Sequence, residues 1–293
     1  MSETKSKVAI VTDVSSSLTS AVAREHGIYM VPVPMIFGTR QYHVGVDLDT
    51  ETFYRLLRSN GRLPTTSQST AADFVQAYTT LSKQAETIVS IHISQQMSGM
   101  LDSARAACGE LPDVPIRVID SRSVTLGLGL LALAAARAAA AGQDADEVCQ
   151  LVEKLIPKMN VIFTVDTLEY LRKGGRIGGA AALLGLALSI KPVLQVKDGR
   201  IEPLEKPRTR ARAVSRLLDL VAERVSPTER VHAAIFHCVA LDEAQQLAEQ
   251  VQARVNCADL FITEAGPIIG THAGPGTLGV AFCTDCADLE AVE

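Results

Sequence analysis

The sequence predicts an α/β fold of two domains, from its length, its composition and the order of its apolar segments. The chain has 293 residues, and single hydrophobic cores stop growing at roughly 250–300 residues. Apolar residues make up 47% of the chain and charged residues 21%, which is typical of a folded globular protein. Short apolar runs alternate with helical segments, and that order favours a mostly parallel sheet covered by helices.

The first half of the chain supplies most of this alternation. A buried strand, KVAIVTD, leads through a serine-rich turn into a helix over 18–26. The run over 28–37 is an edge strand at best, because Pro32 and Pro34 cannot donate to a ladder. The remaining elements predicted here are helices over 47–58, 71–83 and 99–108, strands over 87–93 and 116–120, and a long alanine-rich helix.

The pattern changes after Met159, where we place a boundary between an N-terminal α/β domain over 1–159 and a C-terminal α/β domain over 160–285. The glycine-rich KGGRIGG precedes an apolar helix over 177–190, and Lys197-Asp198-Gly199 predicts a hairpin turn. The other elements predicted here are strands over 160–166, 232–239, 260–264 and 279–282, and helices over 168–171, 211–225 and 242–255.

Two apolar stretches, 124–136 and 177–190, are the candidates for membrane spans. Both are shorter than the ~20 residues that a spanning helix needs, so we expect buried helices and no stable membrane insertion. The opening MSETKSK is polar and unlike an export signal. With six cysteines scattered along the chain, these features predict a cytoplasmic protein with reduced thiols.

Charge and missing motifs exclude several function classes. The net charge is -5, whereas a surface that binds a nucleic-acid duplex usually carries a basic excess. The chain has neither a Gly-x-Ser-x-Gly elbow nor a phosphate-binding P-loop. Cys283 and Cys286 form half of a zinc pattern with no second pair nearby, so we expect no metal and no cofactor.

Three polar loops lie at predicted strand ends, over 64–68, 94–99 and 270–276. Open α/β sheets bind ligands outside the carboxyl ends of their strands, so these loops are candidates for one site. Each loop also has a structural interpretation, because serine and threonine cap helices and glycine permits turns. Taken singly, none of the three is specific.

Six stretches in order carry a resemblance to a known family: VTDVSSSLT, LPTTSQST, SIHISQQMSGMLDSA, YLRKGGRIGGAAALLGLALSIKPVL, KPRTRARA and GPIIGTHAGPGTLGVAF. Over residues 5–283 the chain resembles the DegV family of bacterial fatty-acid-binding proteins. The resemblance implies two α/β domains with a long-chain fatty acid buried between or beneath them. It further implies that the protein presents the carboxyl group to a separate, dihydroxyacetone-kinase-like fatty acid kinase, and is not itself an enzyme.

The resemblance also implies a set of ligand-binding residues. Carried over by position, the family's threonine, serine and histidine fall on Thr66, Ser98 and His272. The neighbouring residues that we include as further contacts are Ser94, Thr65, Gly99 and Thr271. The sequence departs from the family pattern at Ser69, Gln95, Met97 and Met100, and the two methionines are expected to reshape the pocket.

The sequence has two basic clusters. One lies beside the glycine-rich segment, and the other precedes the predicted helix over 211–225. A charge run is often only a solvated face. The resemblance suggests instead that Arg208 or Arg210, with Arg176 in the other cluster, helps to dock the kinase or to neutralise the transferred phosphate.

Two rival functions remain open at this point. Ser98 as nucleophile and His272 as its base would make an esterase or thioesterase, although the sequence offers no obvious acidic residue to orient the histidine. The other rival is a sensor that binds another amphiphile, such as a retinoid, sterol or isoprenoid.

Overall fold

The computed structural model describes residues 5–60 and 63–284, and they form three sheets with flanking helices. The strands are β1 Ser6–Asp13, β2 Ile28–Val31, β3 Val33–Phe37, β4 Arg40–Val44, β5 Thr65–Thr66, β6 Ala85–His92, β7 Ile116–Asp120, β8 Met159–Thr164, β9 Val193–Lys197, β10 Arg200–Glu205, β11 Arg230–His237, β12 Asn256–Glu264 and β13 Leu278–Cys283. The helices are α1 Ser20–Glu25, α2 Thr50–Asn60, α3 Ala71–Leu81, α4 Met100–Glu110, α5 Leu126–Ala140, α6 Ala145–Leu155, α7 Glu169–Lys173, α8 Arg210–Arg224, α9 Leu241–Arg254 and α10 Pro267–Ala273. Short 3₁₀ segments cover Val14–Ser16, Ile156–Lys158 and Gly178–Leu186.

The sheets confirm the predicted α/β class. The first sheet has the order β2-β1-β6-β7 and all its pairs are parallel. The second has the order β10-β9-β8-β13-β11-β12, in which only β11 and β12 pair in parallel. The third is a small antiparallel sheet of β4, β3 and β5. Strands before residue 121 thus build the first and third sheets, and strands after 158 build the second.

Helix α5 contacts strands of both larger sheets. It is apolar around its whole circumference and almost entirely buried, as expected for a helix with neighbours on every side. Two glycines allow the close approach: a Cβ at Gly127 would lie 2.4 Å from Val161 Cγ2, and one at Gly129 would lie 2.8 Å from the Ser16 carbonyl oxygen. A single apolar cluster therefore includes residues from both sheets.

The run over 28–37 is not one edge strand. It breaks at Pro32 because proline has no N–H to continue a ladder. The first part, β2, is an edge of the parallel sheet, whereas the second, β3, is the centre of the small antiparallel sheet. The predicted alanine-rich helix is α5, which ends at Ala140. A further helix, α6, begins after an Asp144 capping box and was not predicted from the sequence.

The expected buried helix over 177–190 is wrong. The segment is a 3₁₀ helix over Gly178–Leu186, and the side chains of Leu184, Leu186 and Leu188 are exposed, the last fully. Glycine has a low helix propensity, and Gly178 has a left-handed φ of +52°. A Cβ there would lie 2.3 Å from the Ile201 carbonyl oxygen. Among the described residues, no helix is both long and apolar enough to cross a membrane.

The cysteines follow the expectation only in part. Free thiols are found at Cys108, Cys149, Cys238 and Cys257. Cys283, at the end of β13, is disulfide-bonded, so the expectation of reduced thiols is wrong at this position. Cys286 lies outside the described residues.

Candidate functional site

A cavity of about 530 Å³ lies between the carboxyl ends of β1 and β6 and the elements from β8 onward. Most of its wall is apolar, with Val33, Ile93, Met97, Phe163, Phe236 and Ile269 among the lining side chains. Polar side chains from the three predicted loops also line it, including Thr66, Ser98 and His272. An apolar cavity with a few convergent polar groups is the usual form of a small-molecule site.

Thr66 and His272 meet directly at this cavity. Thr66 Oγ1 lies 3.0 Å from His272 Nε2, which joins β5 to α10. Burial and, to a smaller extent, the positive charge of Arg176 together lower the pKa of His272 to about 4. The imidazole is therefore neutral at pH 7. It fits beside α7 only because residue 174 is glycine, since a Cβ there would lie 2.2 Å from His272 Nδ1.

Arg176 lines the same cavity, although the sequence analysis placed it among the docking residues. Its Nε donates to the Met97 carbonyl at 3.0 Å, and its Nη1 donates to the Gly174 carbonyl at 2.7 Å. These carbonyls hold the guanidinium in place without neutralising its charge. A ligand anion bound near His272 would gain from that charge.

The loop before α4 contributes Ser98 and Gly99. The Met100 N–H, at the first residue of the helix, donates to Ser98 Oγ at 3.4 Å, and Ser98 also lines the cavity. A Cβ at Gly99 would lie 1.9 Å from Gln68 Oε1, so glycine lets the Gln68 side chain reach the cavity wall. Gln68 is a site residue that the sequence analysis did not select, although its place in LPTTSQST marked the loop.

Three of the predicted contacts do not line the cavity. Thr65 is exposed on β5, where the alternation of a strand points it away from Thr66. Ser94 is buried and accepts from the Gln96 N–H at 3.2 Å. Thr271 donates its hydroxyl proton to the Pro267 carbonyl at 2.8 Å. The structure thus brings together Thr66, Ser98, Gly99 and His272.

A buried polar network borders the cavity at the end of β1. Asp13, which lines the cavity, accepts from His92 Nδ1 at 2.9 Å and from the Ile93 N–H at 3.3 Å through Oδ2. Its Oδ1 accepts from the backbone N–H and the hydroxyl of Ser15. Burial alone raises the pKa of Asp13, but the hydrogen bonds and charge of its partners bring the pKa below its ordinary value. From the sequence, VTDVSSS is predicted only to be a family motif, and this role of Asp13 is not predicted.

The geometry offers no support for a serine-histidine pair. His272 Nε2 contacts Thr66, and the described residues provide no hydrogen bond between Ser98 and His272. His272 Nδ1 is buried without a hydrogen-bond partner, so no described carboxylate orients the ring. No group of three or more histidine, cysteine, aspartate or glutamate side chains within the described ranges could hold a metal ion.

A family model described as an uncharacterised protein, DegV family, matches residues 7–285. The chain belongs to the DegV family. A DegV domain-containing protein of Streptomyces coelicolor is 42% identical over 275 residues, which cover 93% of this chain and 97% of that protein.

Solved structures of DegV proteins share this fold. A DegV family protein from Thermus thermophilus, described as binding fatty acid, has a TM-score of 0.90 at 30% identity and covers 94% of this chain and 99% of its own. DegV from Bacillus subtilis, described as a fatty acid binding protein, has a TM-score of 0.86 at 32% identity, covering 95% and 99% of the two chains.

Proposed function

We propose that this DegV protein binds a long-chain fatty acid in the 530 Å³ cavity and presents its carboxyl group to a fatty acid kinase in the cytoplasm. The observation that carries the proposal is that the cavity combines a mostly apolar wall with a set of polar side chains, those of Thr66, Ser98, Arg176 and His272. The descriptions of the Thermus thermophilus and Bacillus subtilis proteins as fatty acid binding support the same ligand class.

The apolar wall provides the affinity. Each methylene moved from water into such a wall contributes about 0.8 kcal/mol, so a long acyl chain gains several kcal/mol without any specific contact. Met97 and Met100 belong to this wall, and flexible thioether side chains adapt to chains of different shape.

The polar group receives the carboxyl head, whose burial without hydrogen bonds costs several kcal/mol. Thr66 and Ser98 offer hydroxyls that donate or accept, so they suit either protonation state. The neutral imidazole of His272 can donate from Nε2, and Arg176 supplies the only formal positive charge among the described residues that line the cavity. The ionised head is then held as the nucleophile that attacks the γ-phosphate of ATP on the kinase, which releases ADP.

No catalytic step is assigned to this chain. Its residues bind and orient the carboxylate, and the partner brings ATP and the phosphoryl-transfer machinery. We assign kinase docking to the basic cluster before α8, where Arg208 is exposed and forms no ion pair with a described residue. Arg210 is less available, because it forms a two-point ion pair with Glu243 at 3.0 and 2.8 Å.

Native mass spectrometry tests the ligand and the site together. We expect the purified protein, or the protein incubated with palmitate or oleate, to retain a mass equal to one long-chain fatty acid. Thr66→Ala/Ser98→Ala should lose that mass, whereas Thr65→Ala, a neighbouring hydroxyl outside the cavity, should keep it.

Other outcomes would contradict the proposal. A wild-type protein that neither carries nor takes up a fatty acid would refute the carrier function. A different retained mass, such as a sterol or isoprenoid, would favour the sensor. Hydrolysis of a chromogenic acyl ester that disappears in Ser98→Ala would favour an esterase.

A further inference from the structure

The 530 Å³ cavity proposed to hold the fatty acid is called the acyl cavity below. A second cleft, of about 930 Å³, shares no lining residue with it. One wall is formed by α4 and the turn after β7, with Arg105, Asp120 and Arg122. The facing wall is formed by β8, β9 and the end of α8, and it includes Lys197 and Arg224. We infer that this cleft is an anion site that binds a small phosphate-bearing molecule.

Arg224 carries the inference. Its guanidinium is half-buried, and it donates from Nη1 to Asn160 Oδ1 at 3.0 Å and from Nη2 to Gln195 Oε1 at 3.0 Å. Both acceptors are neutral amide oxygens, and Arg224 forms no ion pair within the described ranges. A partly buried charge without a counter-charge is costly, which makes an anion from solution a favourable partner.

Another arginine of α8 has its charge compensated in a different way. Arg216 contacts Glu205 at 2.7 Å, Asp219 at 3.2 Å and Glu223 at 3.1 Å. That ion-pair network satisfies the charge of its arginine. Arg224, two turns later on the same helix, is held by amides that orient the guanidinium and leave its charge available.

Three further cations line the cleft. Arg105, Arg122 and Lys197 form no ion pair with a described residue, and all three are exposed. Arg122 has a left-handed φ of +48°, and its N–H donates to Asp120 Oδ1 at 2.9 Å. That conformation is uncommon for a residue with a Cβ and needs support from its surroundings. The Asp120 carboxylate thus supports this turn through the backbone of Arg122.

The carboxylates of the cleft limit what it can bind. Asp120 Oδ1 already accepts the backbone N–H groups of Arg122 and Gln95. Glu153 and Asp198 also line the cleft, so it is not a uniformly basic surface for a large polyanion. Arginine binds phosphate through paired N–H donors, and the volume lies within the roughly 300–1,000 Å³ of small-molecule pockets. These features favour a compact phosphate ester or a pyrophosphate.

Calorimetric titration at low ionic strength tests the site. The probes are inorganic pyrophosphate and adenosine monophosphate, and adenosine is the control without a phosphate. We expect saturable binding of pyrophosphate or the nucleotide and none of adenosine. Arg224→Gln should weaken binding about tenfold or more, and Arg224→Lys less, because lysine keeps the charge but loses the paired donors. Arg254→Gln removes an equal charge from the exposed pair with Asp219 and should change the affinity by less than about twofold.

Should Arg224→Gln fail to fold, the exposed double variant Arg122→Gln/Lys197→Gln should also weaken binding. The absence of saturable binding to the wild type would overturn the inference. So would an affinity unchanged in both the Arg224 and the double variant. A loss caused by Arg176→Gln but not by Arg224→Gln would place the anion in the acyl cavity and would equally overturn it.

Discussion

Thr66 and His272 are 206 positions apart in the chain, yet Thr66 Oγ1 and His272 Nε2 lie within 3.0 Å at the wall of the acyl cavity. The contact joins the small antiparallel sheet to the helix before β13, and so connects the two halves of the sequence. Because each side chain orients the other, the head-group site depends on tertiary packing as well as on its residue types.

The buried imidazole should make stability depend on pH. Burial lowers the pKa of His272 from 6.5 to about 4, so between these values the unfolded chain binds a proton that the folded protein does not. Stability should therefore fall as the pH drops from 6.5 to 4, by roughly 3 kcal/mol from this residue. Urea unfolding at a series of pH values should show a smaller loss for His272→Gln. An equal loss of stability between pH 6.5 and 4 in the wild type and in His272→Gln would contradict the lowered pKa of His272.

Gly174→Ala should disturb the head-group site. The added methyl would lie 2.2 Å from His272 Nδ1, so the imidazole must move away from Thr66. We expect fatty acid affinity to fall about tenfold and stability to fall by about 1–3 kcal/mol, the usual cost of overpacking. Gly185→Ala is the matched control, because its methyl would meet nothing within 4 Å. Displacement of a fluorescent fatty acid measures the affinity of both variants. Equal affinities would show that Gly174 is not needed.

Asp13→Asn should destabilise the protein strongly. The Asp13 carboxylate is fully buried and accepts from His92, Ile93 and Ser15, and an amide cannot accept all of these bonds. Removing one partner of a buried pair costs about 3–5 kcal/mol. Asp146→Asn, in an exposed pair with Arg117, should cost about 0–1 kcal/mol. Similar urea midpoints for the two variants would refute a structural role for Asp13.

Because the pKa of Asp13 is lowered in the folded protein, protonation of this carboxyl should contribute to unfolding in acid. A carboxyl whose folded pKa is depressed stabilises the protein above the pKa of the unfolded chain. That contribution is lost as the pH falls through the folded pKa. Asp13→Asn should therefore lose less stability than the wild type when the pH drops below the ordinary aspartate range, as followed by circular dichroism. A steeper loss in the variant would contradict this sign.

Two glycines in helices should respond to alanine in opposite ways. In α5, a methyl at Gly129 would lie 2.8 Å from the Ser16 carbonyl, and backbone cannot move aside easily. Gly129→Ala should lower stability by about 1–3 kcal/mol. In α4, a methyl at Gly109 would meet nothing within 4 Å, so Gly109→Ala should raise stability by about 0.5–1 kcal/mol through helix propensity. Thermal melts compare the stability of the two variants. A stability change of the same sign in both would contradict the close packing of α5.

Charge reversal at Arg208 tests the docking surface. Arg208→Glu should reduce kinase-dependent acyl phosphate formation about tenfold or more and leave fatty acid retention unchanged, because the residue is exposed and outside the cavity. Arg58→Glu makes the same charge change on α2, at an exposed residue far from Arg208 in the sequence, and should have little effect. A parallel loss of lipid binding and kinase turnover, or no loss of either, would contradict docking through Arg208.

Local sequence signals were sufficient for most elements of the fold. Most of the apolar strands and the hairpin turn at 197–199 depend on neighbours within a few residues, and their positions agree with the structure. The segment over 177–190 was interpreted wrongly because its composition is that of a buried helix. Its conformation depends instead on Gly178 and Gly179 packing against β10, which no local pattern reveals.

The sequence by itself determined the α/β class, the family and the loops that carry Thr66, Ser98 and His272, because these follow from periodicity and from short motifs in order. Only the tertiary structure decided that Arg176 lines the cavity, that Asp13 joins β1 to β6 through His92, and that Arg224 faces a polar cleft. The physical reason is that burial, charge compensation and pKa depend on groups far apart in the chain. Those groups become neighbours only when α5 packs against both sheets.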